Sequence, residues 1–202
     1  MSKINLRLSK YRWELANRLQ RGRVLYIKPT MRCNLKCPYC AVNKAHGRAP
    51  KYEEMNIGYW ITLIKREKPK LLVISGGEPA LYYGLASIVN CAVKQKCRVR
   101  IFTNLVSIAE FRKIHPSWRV IFLSTYHEVC PLDFYLKNYN TLSQLFYINV
   151  REMREKGDKT PRRIPLSHIM TISVTQSETP VEIYAPNGVL YHSCKELDEN
   201  GR

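Results

Sequence analysis

Two hydrophobic periods alternate along this chain, and that alternation limits its fold more than any other feature. Val24-Leu25-Tyr26-Ile27, Leu71–Ser75, Val99–Thr103 and Val120–Ser124 are short, nearly continuous apolar runs rich in β-branched residues, which read as buried strands. Between them, apolar residues recur every three or four positions. Residues 56–67 place Ile57, Trp60, Ile61 and Ile64 on one face behind Asn56 as N-cap, and 82–95 and a shorter 107–114 also read as helices. Strands alternating with helices imply parallel strands joined by right-handed crossovers, with functional groups at the carboxyl ends of the strands.

The two ends of the chain are read in the same way. Ile4, Leu8, Tyr11, Leu15 and Leu19 form an apolar stripe, so residues 3–20 are expected as an amphipathic helix that packs on the core and turns a basic face outward, ending at Gly22. After Pro131, the residues Tyr135, Tyr139, Leu142, Phe146, Val150 and Met153 share a helical face. One long helix is expected to reach Gly157, with Asn138 and Asn140 as points where it could divide. Residues 158–165 read as a loop, His168–Val174 as a fifth strand, and Val181–Tyr184 with Val189–His192 as a hairpin across Pro186-Asn187-Gly188. At 202 residues the chain is long enough for one core. Three parts are expected: a basic helix over 1–23, a partial barrel over 24–175, and a hairpin with an acidic tail over 176–202.

The net charge is +17, from 33 Lys and Arg against 16 Asp and Glu. Residues 1–23 hold seven of the basic residues and one acid, 151–165 hold six and three, and 176–202 hold two bases and five acids. Such a balance favours an anionic partner, either RNA or an acidic protein or peptide, and equally serves solubility. No apolar run approaches a membrane span and no signal-peptide pattern follows the basic start, so no membrane partner is expected and the reading is cytoplasmic.

Seven cysteines are present, and three of them, Cys33, Cys37 and Cys40, form C-x3-C-x2-C in the loop after the first strand. An odd count with a tight trio suits metal ligation in a reducing compartment. Three thiolates leave one coordination position open, whereas a closed zinc site needs a fourth ligand, for which His46 is the nearest candidate. The loops after the next three strands carry Gly76-Gly77-Glu78-Pro79, Asn104, and Thr125 to Glu128. Four polar clusters are thus expected on one rim.

The cysteine spacing, Tyr39 just before the last cysteine, and Gly76-Gly77-Glu78-Pro79 after the second strand together resemble the radical S-adenosylmethionine (radical SAM) superfamily over about residues 24–128. The resemblance implies an α/β fold built as a partial, open (β/α) barrel. It also implies a [4Fe-4S] cluster on Cys33, Cys37 and Cys40, with S-adenosyl-L-methionine chelating the fourth iron. Reductive cleavage would then yield methionine and a 5′-deoxyadenosyl radical that abstracts hydrogen from a substrate. By the same analogy Gly76, Gly77, Glu78 and Pro79 meet the methionyl amino group, Tyr39 lies near the adenine, and Asn104 and Ser124 are the polar strand ends that touch ribose or carboxylate. A low-potential donor such as flavodoxin or ferredoxin would supply the electron. Leu105 stands where the family often has glycine. Only 45 residues follow Gly157, too few for two further βα units and a cap, so the barrel is expected to be open.

Tyr126, His127 and Glu128 are candidate catalytic residues because they follow the fourth strand, where side chains could face substrate. Cys91 and Cys97 read as packing or exposed thiols, and Cys130 with Cys194 is the pair to consider for a second cluster. The expected function is hydrogen abstraction from an RNA, protein or peptide substrate, with the basic helix and 151–163 guiding a polyanion. Related readings are a glycyl-radical-enzyme activase or a ribosomal-peptide-modifying enzyme. A non-catalytic zinc- or cluster-binding nucleic-acid module is the alternative from another class.

Overall fold

The computed structural model describes residues 6–19, 22–40, 53–154, 170–173 and 183–191. Helices α1 (Leu6–Arg18), α2 (Ile57–Glu67), α3 (Leu85–Lys94) and α4 (Leu132–Ser143) accompany strands β1 (Val24–Ile27), β2 (Leu71–Ile74), β3 (Arg98–Thr103), β4 (Val120–Tyr126), β5 (Tyr147–Arg154), β6 (Met170–Ser173), β7 (Ile183–Tyr184) and β8 (Leu190–Tyr191). The strands form one sheet in the order β6-β5-β4-β3-β2-β1-β7-β8. β1 to β6 run parallel in chain order, β7 lies parallel to β1, and β8 returns antiparallel beside β7. This is an open α/β barrel sheet. Both halves of the expected hairpin join it at the β1 edge, so the chain's last described strands extend the sheet.

Neighbouring parallel strands joined by right-handed crossovers put their helices on one face. On that outer face Leu72, Ile74, Val99, Ile101, Val120 and Phe122 meet Trp60, Leu63 and Ile64 of α2, Ile88 and Val89 of α3, and Tyr135 and Leu142 of α4. Phe122 contacts Phe111 and Phe146 edge-on, at 4.9 and 5.2 Å between ring centroids. The inner face is smaller and carries Tyr26, Leu71, Val73, Phe102, Ile121, Leu123 and Tyr147 around Trp13 of α1. Local signals set the helix limits. The side chain of Asn56 accepts from the Tyr59 amide at 2.9 Å, and Lys68 ends α2 in the left-handed conformation (φ 45°) with its N–H on the Ile64 carbonyl.

Three expectations are corrected. The long helix after Pro131 ends at Ser143, and Tyr147–Arg154 is a strand paired with β4. Neither Asn138 nor Asn140 breaks the helix: the Asn138 side chain donates to the Leu105 carbonyl at 2.8 Å, and the chain turns where Leu145 and Phe146 both donate to the Leu142 carbonyl. Ile148 and Val150 then alternate into the outer core, a period-2 pattern hidden because residues 142, 146, 150 and 153 also fit a helical face. The strand at 170–173 is therefore the sixth. Residues 107–114 supply only a single 3-10 turn, Phe111–Lys113, which seats the fully buried Phe111.

The third correction concerns α1. Its stripe faces outward: Leu8, Tyr11, Leu15 and Leu19 are 52–69% exposed, while Trp13 is 4% exposed. The helix packs on the inner face through Trp13, because that face presents Arg98 and Arg100, whose guanidiniums lie 5.2 and 5.9 Å from the indole centroid. Replacing Trp13 by Ala should therefore cost about 3–5 kcal/mol of stability. Leu15→Ser should change it by about 0.5 kcal/mol or less. Urea unfolding of the two variants checks both values, and the opposite ranking would restore the stripe as the buried face.

Candidate functional site

The cysteine loop leaves β1 at Lys28, whose amide donates to the Tyr184 carbonyl at 2.8 Å. It is pressed directly against the loop that follows β2. The Gly77 amide donates to the Thr30 carbonyl at 3.0 Å, and the Glu78 amide to the Arg32 carbonyl at 2.7 Å. A Cβ on Gly76 (φ +129°) would stand 2.2 Å from the Thr30 carbonyl oxygen; one on Gly77 would stand 2.2 and 2.4 Å from those of Arg32 and Met31. The two motifs are therefore interlocked through bare backbone. Thr30, Arg32 and Glu54 brace the same loop. Arg32 donates to both Glu54 oxygens at 2.9 Å and to the Leu81 carbonyl at 2.9 Å, and the Thr30 hydroxyl bonds Glu54 while accepting from the Arg32 amide at 3.0 Å. Sequence reasoning missed this trio, whose only local signal is Thr-x-Arg before Cys33.

Cys33 and Cys40 are partly exposed and Cys37 is buried. The Cys33 sulfur accepts from the Leu35 amide at 3.5 Å and the Asn104 side chain at 3.7 Å. Burial pushes the Cys37 thiol up to about 11, and the charges of Cys40 and Cys33 add to the rise. Burial also raises Cys33, against the Leu35 amide that lowers it. Three thiols close enough to repel one another as anions, one of them already facing N–H donors, suit a shared cationic metal group that would draw off their protons. Among the described residues no three His, Cys, Asp or Glu side chains converge as they would on one metal ion, and His46 lies outside the described residues.

Glu78 is fully buried and ties the β2 loop to the end of β3. Its Oε1 accepts from the Ala80 amide (3.1 Å) and the Thr103 hydroxyl (2.9 Å), and its Oε2 from the Asn104 amide (2.8 Å). Burial outweighs these donors and holds its carboxyl up at about 7. Pro79 opens the 3-10 turn that follows. The Asn104 side chain reaches Asn34 Oδ1 at 2.9 Å and accepts from the Val106 amide at 2.9 Å. Leu105 adopts φ 57° while fully buried, taking the conformation glycine would favour at a cost of about 1–2 kcal/mol, which its burial offsets.

At the end of β4 the side chains divide. The Ser124 hydroxyl pairs with that of Tyr135 at 2.6 Å, and the Tyr126 ring meets the Tyr135 ring at 5.2 Å. Both therefore face the helical layer, and Thr125 between them faces inward. His127 returns to the rim, its Nδ1 2.9 Å from the Tyr39 hydroxyl and its ring stacked at 5.9 Å. Burial lowers His127 to about 4 and raises Tyr39, so a protonated phenol and a neutral imidazole share this hydrogen bond. Glu128 is exposed. The structure thus gathers Cys33, Cys37, Cys40, Tyr39, Gly76, Gly77, Glu78, Asn104 and His127 at one rim and turns Ser124 and Tyr126 away from it. Cys97 and Cys130 are buried, Cys91 is partly exposed, and Cys194 lies outside the described residues.

The sequence model described as the Radical SAM superfamily matches residues 27–141. An S-adenosylmethionine-dependent nucleotide dehydratase of Selenomonas ruminantium is 34% identical over 79 residues, covering 37% of this chain and 27% of that protein. A 7-carboxy-7-deazaguanine synthase of Hyperthermus butylicus is 36% identical over 106 residues, covering 50% and 40%. The matched stretches are thus less than half the length of these relatives. Among solved structures, Streptococcus suis SuiB bound to precursor peptide SuiA superposes with a TM-score of 0.53 at 19% identity, covering 76% of this chain and 37% of SuiB. BtrN in complex with AdoMet and 2-DOIA gives 0.50 at 15%, covering 78% and 72%.

Two outcomes test the site. Gly77→Ala drives a methyl group into two carbonyl oxygens and should cost about 3 kcal/mol in urea unfolding. Glu78, raised in the fold from 4.5 to about 7, makes the folded chain bind more protons than the unfolded one, so its contribution to stability falls as pH rises through that window. His127, lowered from 6.5 to about 4, acts in the opposite sense, with stability lost as pH falls through its window. Unfolding free energies of wild type minus Glu78→Gln should decline from pH 4.5 to 7 and then level; a flat difference would mean that Glu78 is ionised throughout.

Proposed function

Since the chain belongs to the radical SAM superfamily, we propose that it is an enzyme that uses S-adenosyl-L-methionine and a [4Fe-4S] cluster held by Cys33, Cys37 and Cys40. Bound there, the pair would supply reductive cleavage to methionine and a 5′-deoxyadenosyl radical. The observation that carries this reading is the interlock of the cysteine loop with Gly76-Gly77-Glu78, which fixes both motifs at the carboxyl ends of adjacent parallel strands. The chain's own residues have separate tasks. The Arg32–Glu54 clamp and the N–H donors on Cys33 hold the loop in shape. Glu78 spends its oxygens on Ala80, Thr103 and Asn104 and orients the backbone of its loop, whose remaining polar groups would meet the methionyl end. His127 is neutral and holds the Tyr39 ring in one orientation beside the cluster loop, where that ring would flank the adenine. Glu128 and Thr125 sit where substrate would approach.

The open sheet favours a substrate that itself helps close the site, and the net charge of +17 favours an anionic one: a nucleotide or RNA, or an acidic peptide. A low-potential flavodoxin or ferredoxin would supply the electron. The named relatives, a nucleotide dehydratase and a deazaguanine synthase, support a nucleotide-like substrate, and peptide-bound SuiB supports a peptide.

Anaerobic reconstitution tests the proposal. About four iron and four sulfide per chain, with dithionite-dependent release of 5′-deoxyadenosine, is the expected result. Cys37→Ala should abolish release and Cys91→Ala should leave it intact. One tightly bound zinc without cleavage would instead establish the non-catalytic zinc module.

A further inference from the structure

The inner face of the sheet carries cations that the site described above does not use. Arg98, Arg100 and Phe102 alternate along β3 with residues of the outer core, and Tyr147, Asn149 and Arg151 do so along β5. Arg151 is in register with Thr125, one step beyond the Ser124–Thr103 pairing, so it stands at the carboxyl end of the sheet, level with the rim. Arg151 lies 5.9 Å over the Phe102 ring, and Arg100 lies 5.9 Å over Trp13 with one Nη on Asn17 Oδ1 at 3.3 Å. Both rings lie against a guanidinium. The Nε of Arg100, the Nε of Arg151 and Oδ1 of Asn149 are buried with no hydrogen-bond partner among the described residues.

Neither Arg100 nor Arg151 takes part in the ion pairs among the described residues, which join Glu14, Glu54, Glu67 and Glu110 to Lys10, Arg32, Arg23 with Arg66, and Lys113. Burial lowers the affinity of both arginines for their protons, and the charge of Arg151 lowers Arg100 further, opposed by Tyr26. Two partly buried cations on one face that repel each other, each with a buried Nε that has no partner among the described residues, are an arrangement that a bound anion would complete.

We infer that the inner face, between Arg100 and Arg151, binds an oxyanion, phosphate or carboxylate, carried by the substrate. That the anion belongs to a substrate rests on the preceding functional reading; binding of the anion does not. The surface arginine Arg112 is exposed and serves as control.

The test uses the full chain without iron, melted in inorganic pyrophosphate or succinate with ionic strength matched by chloride. A saturable rise in Tm is expected. Arg100→Gln and Arg151→Gln should each weaken the half-maximal concentration at least tenfold, while Arg112→Gln leaves it unchanged. Tighter binding of pyrophosphate assigns a phosphate-bearing substrate, and tighter binding of succinate a carboxylate. Without anion, Arg151→Gln should melt higher than wild type, because one of two repelling charges is gone; a purely structural arginine would lower it. If no probe binds, if all variants bind alike, or if both Gln variants melt lower without anion, the inference is overturned. Release of 5′-deoxyadenosine by the reconstituted wild type is measured separately and would stand in each of those cases.

Discussion

Everything at the rim depends on two stretches of backbone lying closer than any side chain would permit. Gly76 and Gly77 press on the carbonyls of Thr30, Met31 and Arg32, and the amides of Gly77 and Glu78 bond the same stretch. β1 and β2 are parallel neighbours, so the loops after them leave the sheet side by side. Only missing Cβ atoms let those loops merge into one layer. Glu78 then carries the connection to a third strand through Thr103 and Asn104, and the Asn104 side chain returns to Cys33 and Asn34. The thiol loop is thus held from two strands other than its own.

This dependence explains which departures the fold tolerates. Leu105 occupies a left-handed position that a glycine would fill without strain, yet its side chain is wholly buried and its carbonyl accepts from Asn138 of α4. The turn after β3 is therefore fixed by packing against α4 as well as by its own conformation. A glycine there would relax the backbone and keep the carbonyl bond to Asn138, but would lose the buried side chain. At Gly77 no such exchange exists, because the obstacle is neighbouring backbone that cannot move without opening the interlock.

Much of this was legible in the sequence, and the failures have physical causes. β1 to β4 announced themselves as short apolar runs between helical periods, and the thiol and glycine motifs fell at their ends. β5 was concealed because a spacing of three and four residues through Leu142, Phe146, Val150 and Met153 satisfies a helix, while the alternation of Ile148 and Val150 became informative only beside β4. Ser124 and Tyr126 were placed on the correct strand end, but side chains in a strand change faces at every residue, and the pairing of both with Tyr135 put them in the helical layer. The brace of Thr30, Arg32 and Glu54 spans a separation that no local pattern encodes.

The orientation of α1 shows how the two faces of the sheet obey different rules. On the outer face three helices bury aliphatic and aromatic side chains, and amphipathic reading succeeds because the partner surface is apolar. The inner face offers Arg98 and Arg100 beside a small apolar patch, and an apolar stripe of leucines laid on it would strip water from guanidiniums without replacing any interaction. An indole can replace some, since its face attracts cations while its area covers the patch. Trp13 therefore turns inward and the leucine stripe turns out. The same argument applies higher up the sheet, where the Phe102 ring lies beneath the Arg151 guanidinium. Aromatic rings thus meet the arginines along the inner face, Trp13 of α1 beside Arg98 and Arg100 and Phe102 of the sheet itself beside Arg151.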